Sequence, residues 1–145
     1  MRKKVFISII AIVVVLVIGI MIFAISFERS LSKSQPEVTL IEKDSWFSDF
    51  EVVGDKVNIK CYVTLLNTFD EDKKVTLSAV FPDDVKLGLL KEEKLFAKDS
   101  KGEKAEYTLL YGFRSGFYVT FVGDFGGVNM KHDRLLPEIE VTVVN

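Results

Sequence analysis

The feature that most limits how this chain can fold is an uncharged apolar run near its start. Residues 5–27, VFISIIAIVVVLVIGIMIFAISF, are interrupted only by Ser8, Gly19 and Ser26. As an α-helix these 23 residues would rise about 34 Å, enough for the roughly 30 Å hydrocarbon core of a bilayer. A helix is also the form in which a single segment satisfies its own backbone groups in lipid. The run therefore predicts one transmembrane helix in contact with the membrane bilayer.

The charges around this run predict which side of the membrane each part occupies. Arg2, Lys3 and Lys4 precede it, and positive residues beside a membrane segment usually stay in the cytoplasm. This rule places residues 1–4 in the cytoplasm and residues 28–145 outside. The chain is predicted to be a single-pass protein of the cell membrane, held by a signal-anchor helix.

A cleaved signal peptide is the alternative interpretation of the same run. Ala24-Ile25-Ser26 is an acceptable small-residue cleavage site, and cleavage would make the remainder a secreted protein. However, the apolar stretch of a signal peptide usually covers about 7–15 residues, and this run is longer. An uncleaved anchor is therefore the preferred interpretation.

Beyond the anchor the chain is mildly acidic. All 21 Asp and Glu lie after it, together with 16 of the 19 Lys and Arg, so the outer part carries a net charge of about −5. Such a charge is unfavourable for binding to nucleic acid or to anionic lipid headgroups. We therefore expect no nucleic-acid partner.

Residues 28–36, ERSLSKSQP, predict a polar spacer, and residues 37–145 predict a folded domain made of strands. Short runs of alternating apolar residues follow one another there, without a long amphipathic helical pattern. The strand candidates are 37–43, 49–67 (two strands joined at Gly54-Asp55), 74–82, 105–113, 116–125 and 137–145, with a helical turn and a short strand within 83–97.

This succession of strands is typical of an all-β domain, an antiparallel β-sandwich of 7–8 strands. In that general sense the domain resembles immunoglobulin-like and fibronectin-III-like modules. The Cys…Trp…Cys signature of true immunoglobulin domains is absent, because the chain has one cysteine and its one tryptophan precedes it.

The single cysteine, Cys61, excludes a disulfide within the chain. It alternates with Val57, Ile59, Val63 and Leu65 along one predicted strand, which indicates a common buried face. We interpret Cys61 as a buried and unreactive thiol.

Residues 123–138, GDFGGVNMKHDRLLPE, contain the only histidine of the chain, in a connection longer than a hairpin needs. A catalytic site here would use His132 as a general base, oriented by Asp124 or Asp133, with Arg134 beside an anion. Three consecutive residues of extended chain do not converge on one point, and no nucleophile motif accompanies them. A structural loop is the simpler interpretation. The candidate ligand-binding residues of this loop are Asp124, Asn129, His132, Asp133 and Arg134.

Aromatic residues are concentrated between residues 107 and 125. Alternation places Phe117 and Phe121 on one face of a strand and Tyr118 on the other. Packing in the core is the simpler explanation of this density. If Tyr118 is instead exposed near Trp46, the two residues are candidates for stacking on a sugar ring or packing against a partner.

Two acidic clusters are the candidates for a metal site. Asp70-Glu71-Asp72 and Asp83-Asp84 both lack the spacing of a calcium loop, and one histidine with one cysteine is too few for zinc. We interpret both clusters as solvated turn charges, and we expect neither a metal nor a cofactor.

Together these features predict a non-enzymatic, membrane-anchored binding module on the extracytoplasmic side. Its expected partner is another cell-envelope protein or a surface ligand. The first alternative is a carbohydrate- or cell-wall-binding module that uses Trp46 and Tyr118. The second is a small envelope enzyme that uses His132.

Overall fold

The computed structural model describes residues 2–31, 36–130 and 132–145. The chain divides into two compact units, Met1–Gln35 and Pro36–Asn145. We call the second unit the β domain.

The first unit is a helix, α1 (Arg2–Leu31). Its stretch Ile7–Ile25 is long and apolar enough to cross a membrane, which confirms the prediction of one apolar helix. The helix continues to Leu31, four residues into the predicted spacer. Met1 and spacer residues 32–35 lie outside the described residues.

The described part of the β domain is built from strands, because its apolar residues alternate along most of its length. The elements in chain order are β1 (Val38–Leu40), a 3-10 turn (Glu42–Asp44), β2 (Trp46–Val53), β3 (Lys56–Asn67), β4 (Lys73–Val80), α2 (Pro82–Lys86), β5 (Lys94–Phe96), β6 (Tyr107–Leu109), β7 (Arg114–Asp124) and β8 (Glu138–Val144).

The strands form two antiparallel sheets with the same plan. In sheet 1, β3 is central, with β1 and β2 along one side and β7 along the other. In sheet 2, β4 is central, with β5 and β6 along one side and β8 along the other. The prediction of an all-β domain in two antiparallel sheets is confirmed.

The core lies where the inner faces of both sheets meet. The alternating positions of β3 from Val57 to Leu65, Cys61 among them, are fully buried, as the pattern predicted. They pack with alternating residues of β4 and β7, including Leu77 and Phe121. Burial raises the pKa of the Cys61 thiol to about 12, so the reactive thiolate is scarce at neutral pH.

The chain that follows β5 connects the two sheets. The Ala97 N–H donates to the Leu77 carbonyl of sheet 2 at 2.9 Å. The Lys98 N–H donates to the Thr120 carbonyl of sheet 1, also at 2.9 Å. These two hydrogen bonds link the two sheets along one edge of the domain without a disulfide.

The strand register defines two ends of the domain. At the near end, where the chain enters, Val38 pairs with Asn67. At the far end, Val80 of β4 pairs with Glu138 of β8. The near end contains the turns 68–72 and 110–113, and the far end contains α2 and the long connection 125–137.

The near end is organised around Asn67, whose side chain is fully buried. Its Nδ2 donates to the carbonyls of Glu71 at 3.0 Å and Leu109 at 3.2 Å, and its Oδ1 accepts from the Phe69 N–H at 3.0 Å. One amide therefore satisfies main-chain groups of the turn 68–72 and of the last residue of β6.

The strand predicted over 105–113 was too long, because only Tyr107–Leu109 is a strand. Residues 110–113 turn instead, with Gly112 at a φ of +70°, a conformation that favours glycine. The Gly112 N–H donates to the Asn67 carbonyl at 2.9 Å, which holds this turn against β3.

Candidate functional site

Three aromatic side chains form a row across the outer face of sheet 1. Trp46 of β2 pairs with Tyr62 of β3, and Tyr62 pairs with Tyr118 of β7, so the three residues lie side by side. The rings of Trp46 and Tyr62 stack with centroids 4.3 Å apart, and the edge contact of Tyr62 with Tyr118 measures 5.0 Å. We call Trp46, Tyr62 and Tyr118 the aromatic row.

Both ends of the aromatic row are exposed to solvent: Trp46 is exposed by 49% and Tyr118 by 74%. Core packing was the wrong interpretation for Tyr118. It holds for Phe121, which is fully buried, and in part for Phe117, which is half-buried and packs against the core.

A bulge in β2 allows Trp46 to face outward. The register shifts between Phe47 and Asp49, so that Phe47 and Phe50 both pack against the core although they are three residues apart. Without this extra residue, strict alternation would place one of the two phenylalanines in solvent. The bulge therefore separates the buried aromatic residues of β2 from the exposed one.

Gly116 of β7 provides the space that Tyr62 occupies. A Cβ at this position would lie 2.6 Å from Tyr62 Cζ, closer than real side chains approach. The tyrosine ring therefore covers a glycine of the neighbouring strand, an arrangement that compensates for a missing side chain within a sheet. It also fixes the middle ring of the aromatic row.

Polar groups border the aromatic row on the same face. Lys60 Nζ lies 3.2 Å from Glu51 Oε1, and Asn58 Nδ2 donates to the same oxygen at 3.3 Å. The hydrogen bond from Lys60, then that from Asn58, lowers the pKa of Glu51. An aromatic centre with a polar, hydrogen-bonding border is the usual composition of a binding surface.

A second constellation lies at the far end, around the buried carboxylate of Asp84. Its Oδ1 accepts hydrogen bonds from Arg134 Nε at 3.2 Å and Arg134 Nη2 at 3.0 Å, and it lies 3.1 Å from His132 Nε2. The Arg134 guanidinium also stacks over the Phe50 ring, 3.9 Å from its centroid. We call Asp84, His132 and Arg134 the far-end cluster.

The far-end cluster corrects two expectations. Asp84 is not a solvated turn charge, since only 5% of it is exposed, whereas its neighbour Asp83 is exposed. Asp84 lies in the first turn of α2, and its partners are 48 and 50 residues further along the chain. No local pattern in the sequence relates residues at that distance.

His132 is oriented by Asp84 and by neither predicted carboxylate. Asp124 is exposed to solvent in part and forms an ion pair with Lys56, whose hydrogen bond and charge lower the pKa of Asp124. Asp133 is exposed, and its backbone carbonyl lies 2.9 Å from His132 Nδ1. Asn129 is exposed in the same connection.

A cleft of about 700 Å³ adjoins the far-end cluster, between α2 and the connection 125–137. Its lining residues carry carboxylate, imidazole, guanidinium, ammonium or apolar groups, and none of those described carries a hydroxyl or a thiol. They are Phe47, Val80, Phe81, Pro82, Asp83, Asp84, Lys86, Leu87, Glu93, His132, Asp133, Arg134, Leu135, Leu136, Pro137 and Glu138.

Chemically, the far-end cluster fastens a long connection to α2. Both ring nitrogens of His132 face oxygen atoms of the protein, so the ring is held by two contacts. Arg134 and Asp84 form an ion pair that is almost fully shielded from solvent, with side-chain exposures of 5% and 7%. Among the described residues, no group of three or more His, Cys, Asp or Glu is placed to hold a metal ion.

Comparison of the chain with protein-family models, with curated proteins and with solved structures finds no match.

Proposed function

We propose that this chain is a membrane-anchored, non-enzymatic binding module whose β domain, an immunoglobulin-like sandwich, lies outside the cytoplasm. We propose further that it binds another cell-envelope protein through the aromatic row. The observation that carries this proposal is the exposure of Trp46 and Tyr118, side by side with Tyr62 on the outer face of sheet 1.

The physical argument concerns how the rings are held. Exposed tryptophan and tyrosine are the residues that contribute most to protein interfaces, because they bury a large area with few rotatable bonds. Here the Trp46 ring is already stacked on Tyr62, and Tyr62 is seated over Gly116. Because the Trp46 and Tyr62 rings are already held in place, a partner that covers the aromatic row would immobilise few additional side chains. The entropy cost of binding is therefore small, which favours affinity.

The far end supports a binding module over an enzyme. The buried carboxylate of Asp84 is neutralised by Arg134, and His132 makes contacts with protein oxygens through both nitrogens. The described lining also lacks the hydroxyl and thiol groups that serine and cysteine nucleophiles supply.

The test is chemical crosslinking of the full-length protein in its native membrane, with the crosslinked partner quantified. The double variant Trp46→Ala/Tyr118→Ala should lose the partner, with affinity lower by about tenfold or more, as for the loss of interface hot spots. The matched control is Val53→Ala, because Val53 is exposed by 56% on β2 and lies apart from the aromatic row. Retention of the partner by the double variant contradicts the proposal.

Carbohydrate is the second candidate ligand, because the hydrogen-bonding groups of Glu51, Asn58 and Lys60 share the outer face of sheet 1 with both exposed rings. The same variants distinguish it. Release of the wild-type protein by digestion of the cell wall, with loss of glycan retention in the double variant and without a crosslinked protein, would replace the protein partner by a glycan.

A further inference from the structure

The near end presents three apolar side chains on the turn 110–113. Leu110, Tyr111 and Phe113 are exposed by 54%, 59% and 62%. We call them the apolar tip. Grouped apolar side chains at a loop tip are unusual on a water-exposed surface and mark a site of contact.

The turn that carries the apolar tip is firmly held. The Tyr111 N–H donates to Asp72 Oδ1 at 3.0 Å, and the Asn67 N–H donates to the Phe113 carbonyl at 3.3 Å. The chain can place these side chains inward only by breaking such bonds. Their exposure is therefore a property of the folded domain and not of a loosely packed loop.

The apolar tip lies where the chain enters the β domain. Glu37 and Thr68 hold one another: the Glu37 N–H donates to Thr68 Oγ1 at 2.8 Å, and the Thr68 N–H donates to the Glu37 carbonyl at 3.0 Å. Thr68 directly follows Asn67, the residue that holds the turn 110–113. The apolar tip is thus at the end of the domain to which the apolar helix is connected.

The connection to that helix is short. From Ile25, the end of the apolar span, to Leu31 the helix rises about 9 Å, at roughly 1.5 Å per residue. From Leu31 to Pro36 there are five Cα–Cα steps, which cover at most about 19 Å in any conformation. If the helix spans a bilayer, the near end starts within about 28 Å of the hydrocarbon boundary.

The charges beside the apolar tip select the kind of lipid surface. The neighbouring turn carries Asp70, Glu71 and Asp72. Three cations near the tip are paired with carboxylates: Lys73 with Glu71, Lys74 with Glu106 and Arg114 with Asp44. Acidic groups disfavour anionic headgroups, whereas Tyr, Phe and Leu partition into an uncharged or zwitterionic interface.

We propose that the apolar tip inserts Leu110, Tyr111 and Phe113 into the interfacial region of the same bilayer that holds α1. This inference rests on the proposed membrane anchoring and adds a second membrane contact. Two contacts, one at the helix and one at the tip, would orient the β domain with its far end away from the lipid.

The test uses the full-length protein in phosphatidylcholine vesicles with and without brominated acyl chains, which quench tryptophan fluorescence. In a Trp46→Phe background, a single tryptophan is introduced as Phe113→Trp at the tip. The control is Leu135→Trp at the far end, where Leu135 is exposed by 88%. We expect brominated lipid to reduce the emission of Phe113→Trp by about twofold or more and to leave Leu135→Trp unchanged.

Equal responses at the two positions, or no quenching at residue 113, overturn the apolar tip as a membrane contact. Flotation of the vesicles separates this result from a failure of anchoring. If the protein floats with the vesicles but is not quenched, the anchoring proposal stands and the apolar-tip proposal is overturned. If the protein does not float, both the anchoring proposal and the apolar-tip proposal are overturned. Quenching that requires added phosphatidylglycerol overturns the preference for an uncharged interface.

Discussion

The two ends of the β domain are each organised around one buried polar side chain, and the two differ in charge. At the far end, Asp84 binds an arginine and a histidine through their side chains. At the near end, Asn67 binds main-chain groups. The far end therefore depends on the identity of particular loop residues. The near end leaves its loop side chains free to face outward, and these include the apolar tip.

The largest expected effect is at the far end, from Asp84→Ala. Removing the carboxylate leaves Arg134 charged and almost fully buried, so the free energy of unfolding should fall by about 3–5 kcal/mol. The measurement is urea unfolding of the full-length protein in detergent. The matched control is Asp83→Ala, the exposed neighbour, which should stay within about 0.5 kcal/mol of wild type. Equal losses in both variants would remove the distinction between the two aspartates.

An intermediate effect is expected at the near end, from Asn67→Asp. The variant keeps the shape of the side chain but turns an oxygen toward the Glu71 and Leu109 carbonyls, where the amide donated. We expect a loss of about 2–3 kcal/mol at neutral pH, because buried main-chain acceptors lose their donors. The loss should shrink in acid, where the new carboxyl is protonated and donates again.

Asn129→Asp is the control for that change, since Asn129 is exposed and its substitution should alter the free energy of unfolding little. If Asn67→Asp shows no dependence on pH, its side chain does not hold the near-end carbonyls as described.

The smallest effect is expected from the exposed ion pair of Lys56 with Asp124. Lys56 lowers the pKa of Asp124 below its ordinary value of 3.8, so the pair stabilises the folded state above that pH. This contribution is lost as the pH falls from 3.8 through the lower pKa of the folded state. In the Lys56→Gln variant, the free energy of unfolding should lose this part of its pH dependence. The measurement is a series of unfolding curves between neutral and acidic pH. An unchanged curve would show that the pair contributes nothing to stability.

Much of the fold could be predicted from the sequence because the signals are local. Alternation along β3 identified the buried face that contains Cys61, and Gly54-Asp55 marked the turn between β2 and β3. The helical turn and short strand within 83–97 are present as α2 and β5. The apolar helix was evident from composition alone.

The functional surfaces were harder to predict because they depend on the pairing of distant strands. The aromatic row needs the register of three strands and the bulge after Phe47, and alternation within one strand contains neither. Asp84 resembles any acidic residue of a turn until Arg134 is placed against it. The turn at Gly112 appeared as strand because its neighbours are apolar, whereas their exposure is what distinguishes it.

The pairing of β8 along β4 has a consequence for the timing of folding. Every register contact between them joins residues more than fifty positions apart, from Lys74 with Val144 to Val80 with Glu138. Sheet 2 therefore lacks the strand β8 until residue 144 has been synthesised, and one side of β4 stays unpaired until then. Pairing between strands so far apart in the sequence is slow. For a domain exported as proposed, this delay would keep the chain extended enough to cross the membrane before it closes into its final form.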